Sequence, residues 1–517
     1  MSCEAIHFQP ERLPVNEAYR STDELEEEFS AAYEQLHGLI GMLRSKDAVF
    51  LAHGDVESLV YGRGMEVLRL VLQGYLDCRA REEARQPDGI VGSDEVRRGQ
   101  VRTGCERSLM TVVGEVQVRR LGYQSRGETS IFPLDGELNL PTAKYSHGLM
   151  RRVAQEASRT SFDEVVSSVP MTTGGKVPKR QAEEIVVEVS QDFEDFYASR
   201  RATSPEATRD LLCLSVDGKG IVMREEALRQ VTREAARRDR HKLKTRLCRG
   251  EKSHRKRMAT VATVYTMPQH VRTAETIMSH HDDKVVPLRP RAQNKRVWAS
   301  VEREPAVVIG EMLQEALRRD PAQRRCWVML VDGQPQQIQQ IHAAMAEHQV
   351  KATLVLDFIH VLEYLWKAAY CFHEEGTAQV EQWVSERALS ILKGNSSIVA
   401  AGMRRSATRR GLTTEARKAV DKCAGYLLKY RDLLRYDQFL TQGFPIATGV
   451  IEGACRHLVK DRMDITGARW SLKGAEAILK LRSLRSSKDF DDYWAFYMAK
   501  SFTRNHASRY HARNKAA

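Results

Sequence analysis

Apolar positions recur at helical spacing early in the chain. Leu25, Phe29, Ala32, Leu36, Leu39, Ile40 and Leu43 follow a Ser21-x-x-Glu24 capping box, and a second helical pattern spans 56–76. Near residue 100 the period falls to two. The runs 109–113 and 116–121 flank Gly114-Glu115, which predicts a β-hairpin turning at that dipeptide. Helical periodicity returns over 145–157, Ser161-x-x-Glu164 predicts the cap of a short helix ending at Val169, and a helix begins at Lys179 after the Pro/Gly-rich turn 170–178. Short helix, turn and longer helix are compatible with a DNA-reading helix-turn-helix.

Beyond residue 205 the pattern changes again. Runs 211–216, 258–265, 326–331 and 353–356 read as strands, and helical patterns at 305–319 and 335–348 flank the third of them. No strand is evident between 266 and 300. From 358 to about 445 the pattern is helical throughout, and a late helix carries Glu452. This order predicts an α/β RNase H-like catalytic core in two pieces, 206–357 and 446–488, interrupted by an all-helical insertion, 358–445. Preceding it are an N-terminal helical region, 1–95, suited to oligomerisation, and a β-hairpin/helix-turn-helix DNA-binding region, 96–205. A basic C-terminal tail, 489–517, follows.

Charge sharpens the picture. The chain has 517 residues with 80 Lys and Arg against 68 Asp and Glu, a formal net charge of +12 that favours a polyanionic partner. Residues 224–257 alone hold 14 Arg and Lys against five acids, next to the first core strand. Nine Cys form no C-x-x-C pair, against a zinc ribbon or a secreted disulfide framework. Without a signal peptide or an apolar run near the ~20 residues of a membrane span, the expected location is cytoplasmic and nucleoid-associated.

Three acids stand where such a core would gather them: Asp217 and Asp332 each end a strand and precede Gly, and Glu452 opens the late helix. Two Asp on strand ends and a longer Glu on a helix suit two Mg²⁺, or Mn²⁺, for phosphodiester chemistry. Asp357 also ends a strand and rivals Asp332, although it is placed to cap the next helix; Thr448 is placed to cap the Glu452 helix. His360 is an auxiliary candidate for proton transfer or phosphate contact. Arg255, Lys256, Arg257, Arg456, Lys460, Lys179, Arg180, Arg119 and Arg120 are candidate DNA contacts, with Arg456 and Lys460 at i+4 and i+8 from Glu452. Trp366 and Trp470 could stack on a flipped base or pack in the core.

Several stretches resemble bacterial insertion-sequence transposases of the ISKra type: 215–220 (SVDGKG), 256–262 (KRMATVA), 356–366 (LDFIHVLEYLW) and 449–456 (GVIEGACR) continuing to 464–470 (DITGARW), with 132–135 (FPLD) and 140–141 (LP) similar as well. The resemblance covers roughly 100–490. It implies a DDE transposase that binds the terminal inverted repeats of its element, cuts there, and joins the freed 3′-OH to target DNA within a homodimer or larger homo-oligomer using Mg²⁺. By motif the first acid is Asp217 and the last Glu452; the middle one is assigned to Asp332 by strand order. Alternatives are a non-catalytic DNA-binding regulator of transposase descent and a structure-specific nuclease.

Overall fold

The structure, a computed structural model, describes residues 22–200, 205–238, 255–279, 290–507 and 509. The capping box begins at Ser21, outside the described residues, as do Arg513 and Lys515 of the basic tail. The chain forms two compact units: 1–153 with 166–178 and 498–517, and 154–165 with 179–497.

In the first unit, helices Thr22–Leu43 and His53–Glu82 pack on one another, and the longer one lies against a hairpin. After the short strands β1 (Ile90–Val91) and β2 (Arg97–Arg98), that hairpin is built from β3 (Gln100–Thr111) and β4 (Gly114–Gln124), paired antiparallel. Leu76, Leu109, Val116 and Val118 form its core. The turn lies at Val112-Val113, not at Gly114-Glu115. The Thr111 hydroxyl accepts from the Val113 amide and donates to the Gly114 carbonyl, and Gly114 begins the return strand at φ 125°, a conformation that favours glycine. Residues 503–507 are helical, with His506 buried and bonded to the Leu140 carbonyl at 2.8 Å, so this stretch is not the free basic arm expected from composition.

The second unit is built on a five-stranded mixed sheet. Its strands are β5 (Leu211–Val222), β6 (Lys256–Met267), β7 (Gln293–Ser300), β8 (Trp327–Val331) and β9 (Thr353–Leu356), in the order β7-β6-β5-β8-β9. β5, β6 and β7 pair antiparallel, whereas β8 and β9 run parallel to β5. Residues 211–216 are all buried, as a central strand covered on both faces requires. β7 escaped the sequence reading because its first half (Gln293, Asn294, Lys295) is exposed and polar, a usual dress for an edge strand.

Helices Pro305–Arg319 and Pro335–Glu347 flank β8, each opening on proline, whose missing N–H costs nothing in a first turn. The 358–445 stretch is helical, led by Phe358–Ala369, Ala378–Leu392, Ser396–Arg409 and Lys418–Lys429. The Glu452 helix changes character along its length: Gly449–Ala454 is α, Cys455–Lys460 is π, and Asp461–Met463 is α again. Helix Leu472–Ser487 packs on β7, and Glu476 accepts the amides of Val301 (2.8 Å) and Glu302 (3.1 Å) just past it. Residues 490–502, read as tail, form a helix with Tyr493 and Tyr497 buried.

Candidate active site

The parallel register aligns three aspartates in one row. Ser215 pairs with Leu330 and Val331 with Leu356, so Asp217, Asp332 and Asp357 follow at equivalent positions of adjacent strands. Neighbouring strands lie about 4.8 Å apart, and side chains at one register position leave the same face. Continuous burial up to this row (Val216, Val331, Leu356) makes it the first polar layer above the hydrophobic core.

Each aspartate is held differently. Asp217 Oδ1 accepts from the Gly218 amide at 2.6 Å and its Oδ2 receives the Cys455 thiol at 3.1 Å. One residue earlier, Gln337 donates to the Val216 carbonyl at 3.1 Å, bracing the strand. Asp332 Oδ1 accepts from the Gln334 amide at 2.9 Å, while Tyr426 and Tyr430 hydroxyls donate to the backbone carbonyls of Asp332 (3.0 Å) and Gly333 (2.6 Å). Gly333 sits at φ 90°, where a Cβ would meet the Tyr426 hydroxyl at 2.8 Å. Glycine there is a steric necessity.

Asp357 is fully buried and fully bonded. Oδ1 accepts from the amides of Ile359 (3.1 Å) and Thr448 (3.3 Å); Oδ2 lies 2.7 Å from both His360 Nδ1 and the Thr448 hydroxyl. It caps its helix as expected. Thr448 does not cap with its side chain: its Oγ1 lies 3.2 Å from Glu452 Oε1 as well as beside Asp357, and so ties the two acids together. Asp357, His360 and Glu452 offer ligand atoms within 4.8 Å of one another, a group that could hold a metal ion. Cys455, which donates to Asp217, stands three residues along the helix from Glu452, and Asp332 lies between Asp217 and Asp357 in the row.

The electrostatics follow from this packing. Burial alone would raise the Asp357 carboxyl, but hydrogen bonds from His360, Thr448 and Ile359 hold it below the usual 3.8. The hydrogen bond to Asp357 pushes His360 up to about 9, against its desolvation and helped by the charges of Asp357, Asp332 and Glu363. Burial and the adjoining Asp217 carboxylate push the Cys455 thiol well above its ordinary range, so it stays protonated and donates.

A carboxylate has about four lone-pair sites, and Asp357 already uses four. Asp217 and Asp332 are only half-buried, and Glu452 is exposed. Those three carry the oxygens accessible to an incoming cation, and Asp357 is suited to orienting His360 and Thr448. Hard carboxylate oxygens fit Mg²⁺ or Mn²⁺, so the donor set accommodates the expected ions.

The basic candidates divide sharply. Arg255 is buried, and Arg257 donates to the carbonyls of Val301 (2.8 Å), Ala227 (3.3 Å) and Glu302 (3.3 Å). Arg120 is also buried, 3.1 Å from Asp135 and stacked over Phe132 at 4.2 Å. The expectation that Arg255 and Arg120 face DNA is corrected, because both are buried and engaged with partners inside the fold, whereas Arg257 is half-buried and lines the same cleft as Lys256. Lys256 is exposed and lines, with Asp217, a cleft of about 330 Å³. Arg119 pairs with Glu106 (2.8 Å), Lys179 with Asp163 (2.8 Å), and Arg180 with Glu184 (3.1 Å), all at the surface. Arg456 and Lys460 are exposed, but the π-turn upsets the i+4 spacing that would stack them over Glu452, and Arg456 pairs with Asp461 at 3.7 Å. Trp470 packs inside, its Nε1 donating to the Met463 carbonyl at 3.0 Å, while Trp366 is half-buried. Sequence reasoning missed Cys455 and the bridging duty of Thr448; neither residue has a local signal for a partner more than 90 positions away.

No protein-family model matches this chain, and no curated protein matches it. Among the described residues, no helix is long and apolar enough to cross a membrane.

Proposed function

We propose that this chain is a metal-dependent DNA-cleaving and strand-joining enzyme, a DDE transposase of the insertion-sequence kind its motifs resemble. The observation that carries the reading is the register row: the half-buried Asp217 and Asp332 at equivalent positions of adjacent parallel strands, with Glu452 brought by a distant helix to Asp357, the third member of the row. A strand order with three antiparallel strands followed by two parallel ones supports an RNase H-like core for the second unit. The helical stretch between β9 and the Glu452 helix then corresponds to an insertion.

In this reading Asp217, Asp332 and Glu452 hold the ions. When bound there, divalent cations would activate the attacking oxygen and stabilise the leaving one. The chain's own part is positional. Pairing with β6 fixes Asp217 within β5, the end of β8 fixes Asp332, the Asp357 carboxylate holds His360, and the Thr448 hydroxyl lies between Asp357 and Glu452. His360, charged at neutral pH, faces the same space and can hold a phosphate oxygen or a proton at its ring. Lys256, exposed on the cleft that Asp217 also lines, is placed to contact the backbone of double-stranded DNA.

The test uses purified full-length protein and DNA carrying the element's terminal repeats. Nicking at the repeat ends that requires Mg²⁺ or Mn²⁺, followed by joining of the 3′ end to a second duplex, is the expected result. Binding without cleavage would instead favour a regulator of transposase descent. Cutting of branched DNA without joining would favour a nuclease.

A further inference from the structure

A second cavity in the same unit has a volume of about 720 Å³. Its floor is aromatic: Phe162 and Trp470 have ring centroids 6.2 Å apart, and the Arg462 guanidinium lies over both, at 5.3 and 4.9 Å. One wall is cationic, carrying the exposed Arg224 and Lys473. On the other wall, Asp163 and Glu184 are neutralised by Lys179 and Arg180, and Glu183 lines the space beside them.

Arg462 is the telling residue. Only 2 % of it is exposed, its Nε donates to the Ala157 carbonyl at 2.9 Å, and its Nη2 is buried with no hydrogen-bond partner. Among the described residues no carboxylate ion-pairs with it; burial and the neighbouring Arg482 hold its pKa down to about 10. A buried guanidinium with an idle donor is costly unless an anion completes it. A free phosphate would leave most of the cavity empty, whereas the volume falls within the range for small-molecule sites. The aromatic floor offers stacking, which every nucleobase can use.

We propose that this cavity is a nucleotide subsite that takes one unpaired nucleotide of a DNA strand. The base lies against the half-buried Phe162, which Trp470 backs, and the phosphate on Arg462, Arg224 and Lys473. Glu183, opposite, accepts from an amino group of the base. The site has rigid links to the acids: Met223 bridges to Trp470 six residues along from Asp217, about 20 Å of strand, and Arg462 lies ten residues along the helix from Glu452, about 15 Å. Resting on the DNA-processing reading, the cavity holds the strand a few nucleotides from the scissile bond.

The experiment uses the full chain in EDTA, where cleavage cannot occur. A fluorescein-labelled single-stranded hexadeoxynucleotide reports affinity, and a second hexamer with one 2-aminopurine reports stacking by quenching. The Arg224→Ala/Lys473→Ala double variant is expected to weaken binding about tenfold or more, and Phe162→Ala to relieve the quenching. Lys351→Ala, at an exposed lysine outside the cavity, is the control and retains both signals. Arg462→Met should weaken binding further; if it fails to fold by circular dichroism, the two exposed cations decide. Unchanged hexamer binding by the double variant overturns the proposal, as does inorganic phosphate competing as well as the hexamer. A chain that binds through the cavity yet never cuts DNA with metal refutes the enzymatic reading and leaves the subsite standing. A chain that cuts while its double variant binds normally does the reverse.

Discussion

His360 Nδ1 lies 2.7 Å from Asp357 Oδ2, one helical turn along and at the buried end of the aspartate row. The contact unites a helix cap, a charged imidazole and the support of Glu452 in one carboxylate. It exists because β9 stops one residue short of Asp357, and the helix it caps carries His360 back over it.

The pair makes a pH prediction for the cation-free protein. His360 is raised from 6.5 to about 9, so its contribution to stability is complete below pH 6.5 and fades as pH climbs towards 9. Asp357 is lowered, so its contribution is complete above 3.8 and disappears as pH falls through its lower folded value. An NMR titration of His360 should give a midpoint near 9 in the wild type, returning towards 6.5 in Asp357→Asn. A wild-type midpoint at or below 6.5 would show that the contact does not form.

Substitutions at the acids should separate ligands from supports. Asp217→Asn, Asp332→Asn and Glu452→Gln are each expected to slow cleavage by a factor on the order of 10³, as loss of a transition-state electrostatic partner does. Asp357→Asn and Thr448→Val should cost about 10–100-fold and be partly rescued by more Mn²⁺, with Thr448→Ser close to wild type. If Asp332→Asn cuts normally while Asp357→Asn is dead at every metal concentration, their roles are exchanged.

Gly333→Ala tests the backbone that aims Asp332. A residue with a Cβ at φ 90° is strained, and that Cβ would also press on the Tyr426 hydroxyl. A loss of about 1–3 kcal/mol in chemical denaturation is expected. Tyr426→Phe in the Gly333→Ala background should recover part of it, because the opposing atom is gone. No recovery would locate the strain in the backbone and in the contacts that remain, the ring Cε2 at 3.0 Å and Leu356 Cδ1 at 3.2 Å.

A second pH effect belongs to the other unit. His147 is buried, and desolvation pulls it from 6.5 down to about 4. It remains neutral when folded while the unfolded chain takes up a proton. Stability is therefore intact above pH 6.5 and declines as pH falls towards 4, by up to about 3 kcal/mol. Urea melts between pH 7 and 4.5 should show the decline in wild type and a weaker one in His147→Gln.

Much of this molecule can be read along the chain because local periodicity and side-chain chemistry act over a few residues. The apolar runs that became β5, β6, β8 and β9, the long helical patterns, the strand-ending Asp332 and Asp357 and the capping duty of Asp357 all follow from that. Asp217, expected to end its strand, lies inside β5, which runs on to Val222 paired with β6. β7 was hidden because its exposed edge half carries no alternation. Tertiary structure alone decided which acids stay accessible, that Thr448 spans Asp357 and Glu452, and that Cys455 donates to Asp217 across 238 positions. It also decided which arginines face inward, since Arg120, Arg255 and Arg462 are buried while Arg257 stays half-buried at a cleft. The physical reason is common to all of these. Hydrogen-bond saturation and burial depend on distant segments meeting in space, and nothing in the neighbouring residues encodes which segment arrives.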